Sequence, residues 1–319
     1  MKNILICGAT GFIGRNLLDY YSKISGYKIR ATHYKRPALN EYNVEWVNCD
    51  LRNSDDVKKC LDGMDIVMQF AATTSGSKDI LNQPYIHVTD NVIMNSLILR
   101  ECYEQNIEHL IFPSCTVMYQ SSEIALKEED FDESREILPF YYGVGNTKVY
   151  IEKMCKFYSR LDRTKHTVIR HSNIYGPYDK FDLEKSHVFG ATITKVMNSI
   201  NGEIVVWGTG EESRDLLHVS DLVRFIDLCI SKQENKFELF NVGYGESTKL
   251  IDLVRKIIQH SGKNLKIVND LTKPSVPTSL FLNCVKAKTQ LGWERKISLD
   301  DGISDTINWY KKFFKNKYD

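Results

Sequence analysis

The chain has 319 residues, of which 42% are hydrophobic and 26% are charged. It is therefore long and apolar enough to bury an α/β core, and its composition excludes a disordered or fibrous protein. Lys and Arg (42) nearly balance Asp and Glu (41), so there is no net field that would favour nucleic acid or an anionic membrane, and a small-molecule partner is predicted.

The start of the chain, MKNILICGAT, has the pattern of a folded domain and not of a signal peptide, and no apolar run approaches 18 residues. A cytoplasmic protein is expected. The eight cysteines lack CxxC pairs and His neighbours at zinc spacing, which predicts reduced thiols, mostly in core positions, and no metal site.

Apolar runs of strand length alternate with helical patterns through the first half of the chain. The predicted strands are 3–7, 28–32, 66–70, 109–113 and 167–170, and the predicted helices are 11–22, 54–61, 91–104 and roughly 147–159. This order predicts an α/β fold with a doubly wound parallel sheet. The polar segment 121–136 predicts a surface excursion, and the second half is expected to pack as a smaller lobe on the first.

The first chemical signal lies between the first predicted strand and helix. Glycines at such a turn let the backbone approach a pyrophosphate, which the N-terminus of the helix then stabilises. The alternative is an ordinary glycine turn. The sequence favours a dinucleotide site, and its predicted residues are Gly8, Thr10, Gly11, Phe12, Ile13 and Gly14.

The end of the second predicted strand bears on which dinucleotide binds. An acidic residue there would accept hydrogen bonds from the ribose 2′-hydroxyl of NAD, but this chain has His33, Lys35 and Arg36. Two cations able to pair with a 2′-phosphate slightly favour NADP. A solvated basic turn is the alternative, and a tightly bound NAD stays possible.

Two further stretches are predicted to contact the cofactor. Asp50, followed by Leu51 after a short strand, is placed to hold the adenine amino group. Ala71, Ala72 and Thr73 bring small side chains close to the cofactor's ribose and phosphates.

The motifs taken together resemble the extended short-chain dehydrogenase/reductase family of nucleotide-sugar epimerases and dehydratases, nearly end to end. The matching stretches are GATGFIG, CDL, FAAT, Asn91, FPSCTVMY, Lys148 with Glu152, RHSNIYGP and LGW. The resemblance implies a Rossmann-type domain over 1–172, with returning segments near 214–245, and a sugar-nucleotide lobe over 173–319. It also implies that Asn91, Lys148 and His171 contact the cofactor, and a homodimer or higher homo-oligomer built on the helices 91–104 and 147–159.

Within this family the second half of the chain is most similar to the GDP-L-fucose synthases. The similarity is carried by SHV at 186–188 and by VWGTG at 206–210 through RDLLHV at 214–219. It implies a GDP-sugar substrate and a general acid at His187. The implied substrate-binding residues are Asn173, His187, Val188, Trp207 and Arg214.

The sequence departs from the family at its catalytic tyrosine. The family places a tyrosine four residues before the lysine, and this chain has Val144 there. Tyr141 and Tyr142 lie nearby, but Tyr142 is expected to point to the other side, and Gly143 and Gly145 argue against a helix that extends as far as Tyr141. Each of these two tyrosines either substitutes for the missing catalytic tyrosine or has only a packing role.

The family's catalytic Ser or Thr position is also changed. Cys115 occupies it, flanked by Ser114 and Thr116. A thiol is a poor hydrogen-bond donor but can become a thiolate beside a cation. Cys115 is therefore an orienting residue, an unusual base or a small buried residue.

Three functions stay open at this point. The first is an NAD(P)-dependent oxidoreductase that acts at C4 of a nucleotide-diphosphate sugar, preferably GDP-linked, as a dehydrogenase or 4-keto reductase in surface-glycan or deoxysugar biosynthesis. The second is a GDP-4-keto-6-deoxy-sugar 3,5-epimerase/4-reductase. The third is a noncatalytic sensor of dinucleotide and sugar nucleotide.

Overall fold

The structure of the protein, a computed structural model, describes residues 1–74, 83–183, 186–273 and 278–314. The strands are β1 (Lys2–Cys7), β2 (Tyr27–His33), β3 (Glu45–Asn48), β4 (Ile66–Gln69), β5 (His109–Pro113), β6 (Lys165–His171), β7 (Asn173–Tyr175), β8 (Glu203–Trp207), β9 (Ser213–His218), β10 (Phe237–Val242), β11 (Ser247–Lys249) and β12 (Lys266–Asp270). The helices are α1 (Phe12–Tyr21), α2 (Ser54–Leu61), α3 (Thr89–Glu104), α4 (Tyr142–Ser159), α5 (Val188–Asn198), α6 (Val219–Lys232), α7 (Leu250–Ser261), α8 (Val285–Leu291) and α9 (Leu299–Phe314).

Seven strands form one parallel sheet in the order β10-β6-β5-β4-β1-β2-β3. The chain leaves β1 toward β2 and β3 on one side and returns through β4 on the other, so the order reverses between β1 and β4. Ligands of open α/β sheets bind beyond the carboxyl ends of the strands at such a reversal. The predicted doubly wound, Rossmann-type α/β fold is confirmed.

The two faces of this sheet are covered by different helices because side chains alternate along each strand. Ile4 and Ile6 of β1 face a core that includes Leu17 of α1 and Phe225 of α6. Leu5 and Cys7 face the opposite core, which α2, α3 and α4 cover.

The second half of the chain adds a lobe with its own core. β11, β9 and β7 form a three-stranded sheet, and β12 pairs with β8. Ile193 of α5, Leu253 of α7 and Ile303 of α9 meet in a third cluster. Between these parts, α6 and β10 return to the main sheet, where β10 pairs with β6. The division of the chain at residue 172 stays a prediction.

The predicted strands and helices of the first half agree with the structure to within a few residues, except at the start of α4. That helix begins at Tyr142 and not near 147: it runs through both glycines but ends one residue short of Tyr141, which is its N-cap. A Cβ at Gly143 would lie 3.0 Å from Val88, and one at Gly145 would lie 3.0 Å from Ile137. The glycines therefore permit close packing against neighbouring side chains while the helix continues through them.

None of the described helices is long and apolar enough to cross a membrane. All eight cysteines are free thiols; six are buried, and Cys115 and Cys284 are half-buried.

Candidate functional site

The turn between β1 and α1 leaves no room for side chains at its glycines. Gly8 has φ +72°, and a Cβ there would lie 2.7 Å from the Cα of Ala71. A Cβ at Gly14 would collide with the carbonyl oxygen of Gly8. Gly11 is the N-cap of α1 and has no side chain to cap it, so the N–H groups of the first turn are left for an anion. This cradle fits the pyrophosphate of a dinucleotide, as the sequence predicts, and Thr10, Phe12 and Ile13 lie half-buried within it.

The basic residues at the end of β2 lie beside the glycine turn. The Arg36 guanidinium donates to the carbonyl oxygen of Thr10 at 3.2 Å, and a ring nitrogen of His33 lies 3.1 Å from the carbonyl oxygen of Arg36. Lys35 is exposed. The segment 33–36 offers cations and no carboxylate at this corner, which fits a 2′-phosphate. The preference for NADP stays a prediction.

Asp50 is bound by Arg52, a residue that was not predicted from the sequence. Arg52 donates to both carboxylate oxygens of Asp50, at 2.9 and 2.8 Å, and to Asp90 at 3.1 Å. The Arg52 guanidinium beside Asp50 lowers the pKa of that carboxyl to about 2. Leu51 is buried. The sequence signal for this clamp of Arg52 on Asp50 is the spacing of two residues, at which the guanidinium and the carboxylate can form an ion pair across one turn.

Asn91 fixes the small-residue segment after β4. Its amide donates to the carbonyl oxygens of Thr73 at 2.9 Å and His87 at 2.8 Å, and it accepts from the Thr73 N–H at 3.0 Å. Ala71 and Thr73 are half-buried and Ala72 is exposed. Asn91 therefore shapes the backbone that is predicted to meet the cofactor.

Two buried amides extend this network and were missed from the sequence. Gln69, at the end of β4, donates to the Ala71 carbonyl oxygen at 3.2 Å and to the Asn95 side chain at 3.1 Å. Asn95 donates to the Asn91 carbonyl oxygen at 2.7 Å. The available signal was a glutamine inside an otherwise apolar strand, since a buried polar side chain needs partners.

Lys148 of α4 reaches the carboxyl end of β5. Its ammonium donates to the Pro113 carbonyl oxygen at 2.7 Å and lies 4.7 Å from the centre of the Phe112 ring. Burial lowers the pKa of Lys148. Burial also lowers the pKa of His171 to about 4, and the charges of Lys148 and His187 contribute to that shift. These three predicted site residues therefore lie near one another, with His171 neutral at pH 7.

The three residues after β5 have different surroundings. Ser114 is 1% exposed, and its hydroxyl donates to Glu152 at 2.5 Å; Glu152 in turn pairs with Arg170 at 2.7 Å. Cys115 is half-buried, and burial raises the pKa of its thiol while Lys148 opposes the shift. A thiol, not a thiolate, is expected there at neutral pH. Thr116 is half-buried.

The structure separates the two tyrosines that precede Val144. Val144 itself is half-buried on α4. Tyr142 is 55% exposed and lines a surface groove of about 440 Å³ with Phe131 and Lys153. Tyr141 is half-buried and packs against the same apolar cluster as Cys115.

His187 and Val188 lie at the start of α5, with His187 as its N-cap. His187 is exposed, and desolvation by nearby protein atoms lowers its pKa, which the Lys180 cation lowers further. A neutral imidazole is the expected form at pH 7. Val188 is half-buried.

The other predicted substrate residues occupy two places in the lobe. The Arg214 guanidinium donates to the carbonyl oxygens of Ser213 at 2.9 Å and Thr278 at 2.5 Å, and burial lowers its pKa. The Asn173 amide donates to the backbone of β9. Trp207 is 46% exposed, and the centre of its ring lies 5.4 Å from the Lys195 ammonium. It lies on β8, outside the three-stranded sheet that carries both Asn173 and Arg214.

Comparison with known proteins gives a family and a fold. The profile of the NAD-dependent epimerase/dehydratase family matches residues 4–243. A GDP-L-colitose synthase of Yersinia pseudotuberculosis is 26% identical over 96% of this chain and 97% of its own. A GDP-L-fucose synthase of Azorhizobium caulinodans is 27% identical over 97% and 96%. A UDP-glucose 4-epimerase structure from Thermotoga maritima superposes with a TM-score of 0.86 at 24% identity, covering 98% of this chain and 99% of the other.

Proposed function

This chain belongs to the NAD-dependent epimerase/dehydratase family, and we propose that it is an NAD(P)-dependent oxidoreductase acting at C4 of a GDP-linked sugar. The observation that carries the proposal is the position of Lys148. Its ammonium lies at the carboxyl end of β5, near enough to Cys115 to oppose the rise in the pKa of that thiol, on the same edge of the sheet as the glycine cradle. The reaction is either dehydrogenation to a 4-keto sugar or reduction of one, in surface-glycan or deoxysugar biosynthesis.

The residues present fit a nicotinamide dinucleotide. The cradle of Gly8, Gly11 and Gly14 would hold the pyrophosphate, and Asp50 and Leu51 would meet the adenine. When bound, the cofactor supplies or accepts the hydride. Lys35 and Arg36 make NADP the preferred form in this proposal, with a retained NAD as the alternative.

Lys148 and Cys115 would act on the sugar oxygen. The buried ammonium favours negative charge near it, which stabilises an oxygen that gains electron density during reduction. Cys115, as a neutral thiol, can orient that oxygen but is a weak donor. Ser114 is less suited to orientation because its hydroxyl is bonded to Glu152.

The GDP part of the proposal rests on the relatives and on one arginine. Two relatives that align over nearly the whole chain are named as synthases of GDP-linked sugars. Arg214 presents a half-buried guanidinium, a group that suits a diphosphate. Asn173, Val188 and Trp207 are proposed to line the rest of the sugar-nucleotide cleft.

His187 supports an alternative, a 3,5-epimerase/4-reductase like the fucose synthases. Epimerisation breaks a C–H bond beside the carbonyl and returns a solvent proton to the carbon. A reaction in deuterated water must then leave deuterium in the sugar next to the carbonyl. A product without that deuterium excludes epimerisation, while His187→Asn should abolish the labelling without affecting cofactor binding.

The second alternative, a noncatalytic sensor, is supported by Val144. Loss of a positioned acid or base typically slows a reaction by about 10²–10⁴-fold, and a protein that only binds tolerates that loss. Such a protein binds cofactor in a calorimeter but transfers no hydride to any GDP-sugar.

Assembly as a homodimer through α3 and α4 is also proposed. These helices carry exposed apolar side chains at Ile93, Tyr150 and Phe157, which a second subunit would cover. A cytoplasmic location is likewise a proposal.

Lys148→Met tests the central role. We expect it to keep the fold and lose turnover of NADPH with a GDP-4-keto-6-deoxy sugar. Lys153→Met is the matched control, since Lys153 lies on the exposed face of the same helix and pairs with Glu133. Equal turnover in both variants would contradict the assigned role of Lys148.

A further inference from the structure

The half-buried ring of Tyr141 carries a hydroxyl with no hydrogen-bond partner among the residues that the structure describes. Its backbone is fixed, since the Tyr141 N–H donates to the Leu138 carbonyl oxygen at 2.8 Å. Phe140 packs edge-on against the ring, with the centroids 4.6 Å apart. A tyrosine hydroxyl that is partly buried usually finds a partner. This one is left available to a ligand.

The ring of Tyr141 shares its apolar surroundings with the thiol of Cys115. Both pack against one cluster, formed by Met118, Tyr119, Leu126, Ile137 and Leu282. Because Cys115 follows β5 directly, this cluster brings the ring to the carboxyl end of the sheet. The ring is therefore half-buried against the cluster that Cys115 also contacts, whereas its neighbour Tyr142 is 55% exposed.

Two ionisable groups act on the Tyr141 hydroxyl, and they come from two different elements. Arg214 of β9 and Cys115 after β5 lie close enough for their charges to influence its pKa, which burial raises overall. Tyr141 in turn influences the guanidinium of Arg214. Tyr141 is thus within electrostatic range of both the residue proposed to bind the diphosphate and the residue proposed to orient the reacting oxygen.

Tyr141 is the N-cap of α4, one residue before the helix begins, and its backbone has φ −100° and ψ 0°. Residues 141 and 148 are seven apart, which in helical geometry is about two turns and about 10 Å along the axis. Val144 lies between them on the helix. A sugar whose diphosphate pairs with Arg214 is brought next to Tyr141 and Cys115 together.

We propose that Tyr141 donates the proton to the sugar carbonyl oxygen, replacing the hydroxyl that Val144 lacks. This inference rests on the proposed function. The Tyr141 O–H bond breaks and its proton forms the O–H bond of the carbinol, while C4 gains a hydride with its electron pair from the reduced nicotinamide. Water reprotonates the phenolate. Burial keeps the phenol protonated at neutral pH, so this residue suits reduction better than oxidation.

Tyr141→Phe tests the inference, with Tyr142→Phe as the matched control. The two substitutions remove the same atom from adjacent residues, one in the cleft and one exposed. Turnover of NADPH with a GDP-4-keto-6-deoxy sugar is measured in water and in deuterated water, and GDP and NADPH binding are measured by calorimetry. We expect Tyr141→Phe to lower kcat by about 10²-fold or more, to lose the solvent isotope effect of the unmodified protein, and to bind both ligands within about threefold.

Each other outcome overturns a defined part of the account. Equal kcat and equal isotope effects in the two variants would overturn the role of Tyr141 and leave the proposed function standing. A rise in KM with kcat and the isotope effect retained would make Tyr141 a substrate-positioning residue and overturn proton donation. No turnover by the unmodified protein, with cofactor bound, would overturn the proposed function and the proton transfer with it.

Discussion

The Ser114 hydroxyl, just after β5, donates to the Glu152 carboxylate at 2.5 Å. The same carboxylate accepts one bifurcated hydrogen bond from the Arg170 Nε–H, shared by both oxygens, and another from its Nη2. A side chain only 1% exposed and bonded in this way has a structural role. Its neighbour Cys115 is half-buried, and it is the residue of this pair proposed to meet the substrate.

This relationship separates the expected effects of substituting the two neighbours. Ser114→Ala removes one hydrogen bond to a charged group, so we expect a loss of about 1–2 kcal/mol in the free energy of unfolding and little change in kcat. Cys115→Ala should lower kcat with little change in stability. Urea denaturation and steady-state turnover check both. A large fall in kcat for Ser114→Ala, with stability retained, would instead make Ser114 the orienting residue.

The ion pair of Glu152 and Arg170 is expected to be a major contributor to stability. Their side chains are 6% and 5% exposed, and removing one partner of a buried pair leaves an uncompensated charge. Glu152→Ala should therefore cost about 3–5 kcal/mol. Glu133→Ala breaks an exposed pair with Lys153 and should cost less than about 1 kcal/mol. Similar denaturation midpoints for the two variants would contradict the prediction.

The glycine cradle can be tested with a pair of residues that share a backbone conformation. Gly8 and Gly262 have φ +72° and +75°, but a Cβ at Gly8 meets the backbone of Ala71, whereas nothing lies within 4 Å at Gly262. Asparagine tolerates this conformation. Gly8→Asn should lower dinucleotide affinity by at least about tenfold, and Gly262→Asn should not. Fluorescence titration with NADPH measures the difference, and unchanged affinity at Gly8 would argue against the cradle.

The clamp of Arg52 on Asp50 predicts a pH dependence of stability. The folded-state pKa of Asp50 is about 2, below its ordinary value of about 3.9, so the unfolded chain binds more protons between these pH values. The stabilisation is present above about pH 4 and is lost as the pH falls toward 2. Arg52→Ala should show a shallower decline in this range, measured by urea unfolding. Arg160→Ala, at an exposed arginine after α4, is the charge-matched control and should keep the slope of the unmodified protein.

Much of the fold could be predicted from the sequence because local signals and tertiary packing agree there. β1, β4 and β5 are mostly apolar runs that are largely buried, and the glycine turn lies between β1 and α1. The start of α4 could not be predicted, because glycine disfavours helices in isolation. Glycine occupies positions 143 and 145 because the side chains of Val88 and Ile137, which lie outside the helix, leave little room for a Cβ there.

The site could be predicted less completely because its hydrogen bonds join distant residues. The resemblance implies that Asn91 contacts the cofactor, but nothing local indicates that Asn91 holds Thr73 or that Gln69 and Asn95 support this arrangement. Position in the chain likewise does not reveal that Tyr141 packs half-buried against the same apolar cluster as Cys115 while Tyr142 is 55% exposed.

The most direct test of the central claim follows a hydride. The protein is incubated with a GDP-4-keto-6-deoxy sugar and NADPH or NADH carrying deuterium at the nicotinamide C4, and the sugar nucleotide is examined by mass spectrometry and NMR. The account predicts one deuterium, on C4 of the sugar. Bound cofactor with no deuterium in the sugar from either dinucleotide would contradict a reductase and favour a binding protein.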